Sequence, residues 1–299
     1  MARVPAPSAT LLAPPAPRQS VSLWRHAWRR LRRNKLAVAG GSAIMLLAVL
    51  ALGADIMAPY HYTTPNFGRT FEFPSWEFWL GTDHLGRDVL SRIMYGARVS
   101  MLVGVVAESV VLAIGVPLGA LAGYYGGRVD MLLMRFVDVM YAFPRLLFVI
   151  MIMSMLGRGL LNIFIAIGLT GWVRVACLTR AQMLVLKERE FCEAARAAGA
   201  SDLAIMVRHL LPNALTPIII SLTFGIPEAI FTEAALSFIG VGISPPTPSW
   251  GQMVGEHQQY IRSYWYLCVF PAVGIATIML AFTFLGDGLR DALDPQLYE

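Results

Sequence analysis

The chain has 299 residues, of which 57% are hydrophobic and 14% charged, with a formal net charge of +5. A soluble domain carries about 25% charged residues, so a deficit arranged as charge clusters between long apolar runs excludes a soluble domain and indicates a polytopic membrane protein. The basic excess gathers before the first apolar run, at Arg25, Arg29, Arg30, Arg32, Arg33 and Lys35. That placement suits anionic lipid and topology setting, and no nucleic-acid-binding motif accompanies it.

The first twenty residues are rich in Pro and Ala and contain no apolar signal-peptide core, so they read as a disordered cytosolic tail. From Leu23 to Leu31 the apolar residues Leu23, Trp24, Ala27, Trp28 and Leu31 fall at helical spacing between arginines. This predicts a short amphipathic helix on the cytosolic face of the bilayer.

Six spans are expected, each needing about 20 apolar residues to cross about 30 Å of hydrocarbon. They are Leu36 to Met57, Val99 to Tyr124, Leu132 to Leu156, Leu161 to Leu178, Ala214 to Ile239 and Trp265 to Leu285. The third carries Arg135 and Asp138 early on, which moves its expected start in lipid toward Pro144. Pro117, Pro144, Pro217, Pro227 and Pro271 each remove a helical hydrogen bond and invite kinks.

The basic N-terminal flank predicts cytosolic N- and C-termini. The loop from Met183 to Leu211 then lies inside, while Ala58 to Arg98 and Val241 to Tyr264 lie outside. The three cysteines, Cys177, Cys192 and Cys268, form no C-x-x-C pair and read as small apolar fillers, so no metal site is expected.

The inner loop carries the most information. Phe191, Ala194, Ala195 and Ala198 share one face of a helix from about Lys187 to Ala198, and that face is mostly alanine. Such a face is too thin to anchor a core and lets another surface approach closely. Gly199 is expected to end this helix, Ser201 to cap a second one, and Pro212 to stop it before the fifth span.

Glu193-Ala194-Ala195, then Gly199, then His209-Leu210-Leu211-Pro212 resembles the EAA loop of ABC importer permeases, although the family usually has an aliphatic residue where His209 stands. The resemblance extends over nearly the whole chain. Leu80 to Arg92, Tyr95 to Ser100, Gly123 to Asp130, Leu236 to Gly240 and Pro245 to Gly251 are similar to the C-type permeases of dipeptide, oligopeptide, nickel and glutathione importers.

The resemblance implies an all-α membrane protein with six transmembrane helices in the type I ABC importer permease fold, multi-pass in the inner membrane. It divides the chain into a basic cytosolic segment (1–35), a first span with its outer loop (36–97), a core permease domain (98–288) with the coupling loop at 187–212, and a cytosolic tail (289–299). It implies a second related permease, two cytosolic ATPase subunits that bind ATP and Mg, and an outer substrate-binding protein. No cofactor or catalytic residue is expected in this chain, and it has no phosphate-binding Gly-Lys pair, since Lys35 follows Asn34 and Lys187 follows Leu186.

In this frame Glu193, Ala194, Ala195, Gly199 and Pro212 are the coupling residues. Glu108, Glu228 and Glu233 are candidates for the translocation path, because intramembrane charge is costly. Glu228 and Glu233 stand about 140° apart on a helix and cannot both face one narrow path. Asp83, Arg87 and Asp88 are candidates for binding-protein contact or for ordering the outer loop; Arg145 and Arg174 receive no role. The same spans and glutamates would also serve an ion-gradient-driven carrier, but that class does not require the alanine-faced helix pair.

Overall fold

Backbone polar groups in lipid must bond within their own segment, so long apolar runs fold as helices. A computed structural model describes residues 23–293, and these form helices and turns without a strand among them. The expected N-terminal tail, residues 1–20, lies outside the described residues, as do residues 294–299.

Helix α1 spans Leu23–Arg33, and α2 spans Lys35–Leu52. Asn34 separates them, its side-chain oxygen accepting from the amides of Leu36 and Ala37 at 3.1 and 3.2 Å. The first span ends at Gly53, earlier than expected, and the short α3 (Ala54–Met57) follows. Helix α4 (Val89–Tyr125) begins well before the expected Val99, because Asp88 caps it by accepting from the Ser91 amide.

The expected third span is two helices. Helix α5 (Gly127–Tyr141) and α6 (Arg145–Leu156) meet at an 85° bend. Pro144 lacks an N–H and disfavours helical geometry at the residue before it, so α5 closes at Tyr141 and α6 starts afresh after the proline. Helix α7 (Leu160–Leu186) runs two turns beyond the expected Leu178. Then come α8 (Glu190–Ala197), α9 (Asp202–Ile205), α10 (Leu211–Phe238), α11 (Trp250–His257) and α12 (Tyr266–Leu293). Among the described residues five helices are long and apolar enough to cross a membrane, and six such crossings result if the bent pair α5–α6 counts as one. Large apolar side chains such as Leu46, Leu52, Leu132 and Met155 stand exposed, as lipid-facing residues do.

Helices α4 and α7 pack closely. Gly115, Gly119 and Gly123 repeat every fourth residue on α4 and so share one face. A Cβ at Gly119 would strike the Ala176 carbonyl oxygen, and one at Gly123 would sit 2.6 Å from the Arg180 carbonyl oxygen. Small residues on this face let two backbones pack tightly where no water drives association.

The outer loop expected from Val241 to Tyr264 contains α11, which short-range sequence patterning did not reveal. Ser249 caps it, its Oγ accepting from the Gln252 amide at 3.1 Å. Trp250 is fully buried and its indole N–H donates to the Ile93 carbonyl at 3.1 Å, which fixes α11 against α4.

Candidate functional site

The loop expected to lie inside folds into a hairpin between α7 and α10. Helix α8 closes with two hydrogen bonds, Gly199 N to Arg196 O (2.9 Å) and Ala200 N to Ala195 O (3.0 Å), the pattern of a left-handed helix terminus. Gly199 has φ +79°, a conformation that glycine adopts without penalty. The Ser201 Oγ then accepts from the Ala204 amide at 3.3 Å and starts α9.

Cys192 pins α8 to the body. It is fully buried in a cluster with Tyr124, Met183, Ile205, Met206 and Leu210, and Ala195 packs against the same cluster. Burial pushes its thiol above the usual range, so it stays an apolar filler. Phe191, Glu193, Ala194 and Ala198 are left exposed. The Glu193 carboxylate makes no hydrogen bond or ion pair among the described residues. Two polar clasps hold the hairpin to α4: Lys187 Nζ donates to the Gly123 carbonyl (3.1 Å) and Tyr124 Oη to Asp202 Oδ1 (2.7 Å).

Pro212 does not stop the second helix, contrary to expectation. Asp202 to Phe238 form one continuous 37-residue helix. A five-residue π turn, Met206–Leu210, precedes the proline, and the Leu211 amide bonds back to the Met206 carbonyl. The widened turn takes the backbone away from the position where a proline ring would strike an α-helical carbonyl.

A second feature lies within the span region. Arg145, the first residue of α6, is ion-paired with Glu228 of α10. Arg174 of α7 stands 3.5 Å from Glu108 of α4 and 3.9 Å from Glu228, and donates to Ser221 Oγ at 2.8 Å. The structure thus joins Glu108 and Glu228 through Arg174, with Arg145 on Glu228 alone. Glu108 is buried, and a Cβ at Gly225 would collide with its carboxylate. Arg145, Arg174 and Glu228 line a cavity of about 170 Å³ with Tyr141, Phe143 and Phe148.

Glu233 stands apart from this cluster. It is fully buried and its Oε1 accepts from Ser237 Oγ and Ser249 Oγ, both at 2.7 Å, tying α10 to the start of α11. It is a packing residue, five positions round the helix from Glu228, and does not line the cavity.

In the loop expected to lie outside, Asp83, Arg87 and Asp88 are all buried, so their side chains order the loop from within. Asp83 accepts from the Leu85 and Arg87 amides, from Arg87 Nε (2.6 Å) and from Arg92 Nη1 (3.0 Å). Both guanidiniums continue to Glu256 on α11, Arg87 at 3.1 Å and Arg92 at 2.9 Å. Burial alone would raise the Glu256 carboxyl, but Arg92 and Arg87 outweigh it and hold the group down at about 2.

Arg92, Gln252 and Glu256 were not legible as partners, because more than 150 residues separate the two sides of the network. The signal available was Ser249, a capping residue followed by an eight-residue helix with polar Gln252 and Glu256 one turn apart.

The comparisons agree with this architecture. Residues 115–298 match the family described as binding-protein-dependent transport system inner membrane component, and residues 22–74 match the N-terminal TM domain of oligopeptide transport permease C. The oligopeptide transport system permease protein OppC of Bacillus subtilis (strain 168) is 42% identical over 280 residues, 94% of this chain and 92% of the relative. The dipeptide transport system permease protein DppC of the same organism is 44% identical over 281 residues, 94% of this chain and 88% of the relative. The glutathione transport system permease protein GsiD of Pectobacterium atrosepticum is 41% identical over 275 residues, covering 92% and 91%. Inward-facing structures of the MetNI methionine ABC transporter share the fold, with a TM-score of 0.56 at 16% identity over 68% of this chain and 96% of that one. With its apolar helices and these relatives, the chain belongs to the inner-membrane permease components of binding-protein-dependent ABC transport systems, as a multi-pass membrane protein.

Proposed function

We propose that the chain is a non-catalytic permease subunit of an ATP-driven importer of short peptides. It works beside a second related permease, with two ATPase subunits on the cytosolic side and a binding protein outside. ATP and Mg belong to the ATPases, and both termini of this chain face the cytosol.

The observation that carries this reading is the α8 hairpin. Its buried side is one cysteine and an alanine, while Phe191, Glu193, Ala194 and Ala198 remain open for a partner. A helix that presents Ala and a free carboxylate outward is poorly explained by folding alone and well suited to a groove on another protein. Because the helix from Asp202 is continuous to Phe238, a push on α8 reaches Glu228, about 39 Å along the helix at 1.5 Å per residue. That gives ATP-driven closure of the ATPases a rigid route to the charge cluster, in the manner of rocking bundles.

A peptide cargo is supported by the relatives, whose names state oligopeptide, dipeptide and glutathione transport. It is also supported by the cavity chemistry: Glu228 suits a peptide ammonium, and Arg145 and Arg174 suit its carboxylate. The test is purification of the tagged chain from its native membrane in mild detergent, with peptide uptake measured in parallel. Co-purified ATPases and a second permease, with uptake abolished by ATP depletion, support the proposal. A chain recovered alone, with uptake that follows the proton gradient, overturns it.

A further inference from the structure

His84 and His257 lie 173 residues apart in the chain, yet His84 Nδ1 and His257 Nε2 face each other at 3.1 Å. The outer nitrogens of both rings are directed toward acceptors. His257 Nδ1 is 2.7 Å from the Met253 carbonyl oxygen, which can only accept, so that nitrogen carries the proton. His84 Nε2 lies 3.6 Å from the Glu256 carboxylate, beyond hydrogen-bond range, so the His84 proton sits on Nδ1 and donates to His257 Nε2 while no ion is bound. A divalent ion that displaces this single shared proton meets two lone pairs converging from the facing nitrogens.

The separation fits a metal ion. Two imidazoles on one tetrahedral zinc, with Zn–N of about 2.0–2.1 Å, stand about 3.3–3.4 Å apart. The Met253 carbonyl holds the outer nitrogen of His257 and the Glu256 carboxylate stands nearest that of His84, the kinds of partner that metal-bound histidines use. Ligand atoms of Asp83, His84 and His257 all lie within 4.8 Å of one another, so a carboxylate faces the third side. The nearby guanidiniums of Arg87 and Arg92 are each paired with Asp83 and Glu256, which offsets their charge. Tyr260 stacks on the His84 ring at 6.4 Å and 20°, and the His84 side chain is 25% exposed, so an ion has access from the outer side.

We propose that His84 Nδ1 and His257 Nε2 form a binding site for one imidazole-preferring divalent ion, of the zinc or nickel class, that clips the outer loop at Asp83–His84 to the end of α11. Bound water completes the coordination.

The test uses the full chain in lipid nanodiscs, purified through a histidine-free tag and stripped with chelator. Zinc is titrated against a chromophoric competitor, and retained metal is counted by mass spectrometry after gel filtration. The expected result is one zinc per chain, with the melting temperature rising as zinc is added. His84→Gln and His257→Gln each lose that zinc and the zinc-dependent rise while eluting as the same monodisperse species. Glu256→Gln weakens zinc binding about 10- to 100-fold, as loss of a ligand's supporting carboxylate does. A wild-type chain that retains no more zinc than the double glutamine variant overturns the proposal. So does zinc retention that is unchanged in either single variant.

Discussion

Tyr124 at the end of α4 donates its hydroxyl to Asp202 Oδ1 at 2.7 Å, joining the last turn of one span to the first turn of the helix that becomes another. Asp202 follows the capping Ser201, so this bond fixes where the hairpin turns back toward the membrane. Tyr124→Phe removes one hydrogen bond of about 1 kcal/mol while keeping the ring in its cluster. The expected outcome is a small fall in melting temperature with a larger loss of transport per ATP hydrolysed. Paired uptake and ATPase assays on the reconstituted transporter check it; equal loss in both would place Tyr124 in stability alone.

At Gly199 a Cβ would meet nothing within 4 Å, so any effect of substitution comes from the backbone. With φ at +79°, a branched side chain costs about 1–2 kcal/mol in this conformation. Gly199→Val is predicted to insert normally but to block uptake, by reshaping the turn after α8. Membrane abundance by immunoblot together with substrate uptake decides the matter, and normal uptake would remove Gly199 from the coupling element.

Gly119→Leu drives a side chain into the Ala176 carbonyl where α4 and α7 meet. Overpacking of this kind costs about 1–3 kcal/mol or separates the helices. The purified variant is expected to melt several degrees lower and to yield poorly. An unchanged melting curve would mean that α4 and α7 approach less closely than described.

Glu256 links pH to the packing of α11 on the Asp83–Arg92 segment. Its carboxyl is held at about 2 rather than 4.5, so the folded state binds its proton less readily than the unfolded state does. The contribution, about 3 kcal/mol, is therefore complete above about pH 4.5 and is lost as the pH falls toward 2. Glu256→Gln should lower the melting temperature at pH 7 and flatten its decline below pH 4.5. Melting curves of both proteins across that window are the check, and parallel curves would contradict the ion-pair account.

Most of the helical frame was legible because apolar runs of span length have few alternatives in lipid. The alanine-faced hairpin was legible for a local reason as well: Gly199, Ser201 and the EAA stretch lie within ten residues of each other. Pro212 was misread because a proline after a short helix normally ends it, and the π turn that accommodates it leaves no mark in composition. The long-range charge partners were hidden for a different reason. Arg145 and Arg174 pair with Glu228 and Glu108 through packing of four helices, and Arg92 reaches Glu256 across 164 residues. Spacing on one helix could separate Glu228 from Glu233, but it could not say which of them would find an arginine.

The central claim is that the open face of α8 docks on an ATPase. The direct measurement places a photoactivatable residue at Ala194, which is exposed beside Glu193, and irradiates membranes that are actively transporting. The account predicts a covalent adduct with an ATPase subunit. Uptake that persists in those membranes with no ATPase adduct from Ala194, and that stops when the proton gradient is collapsed, would contradict it.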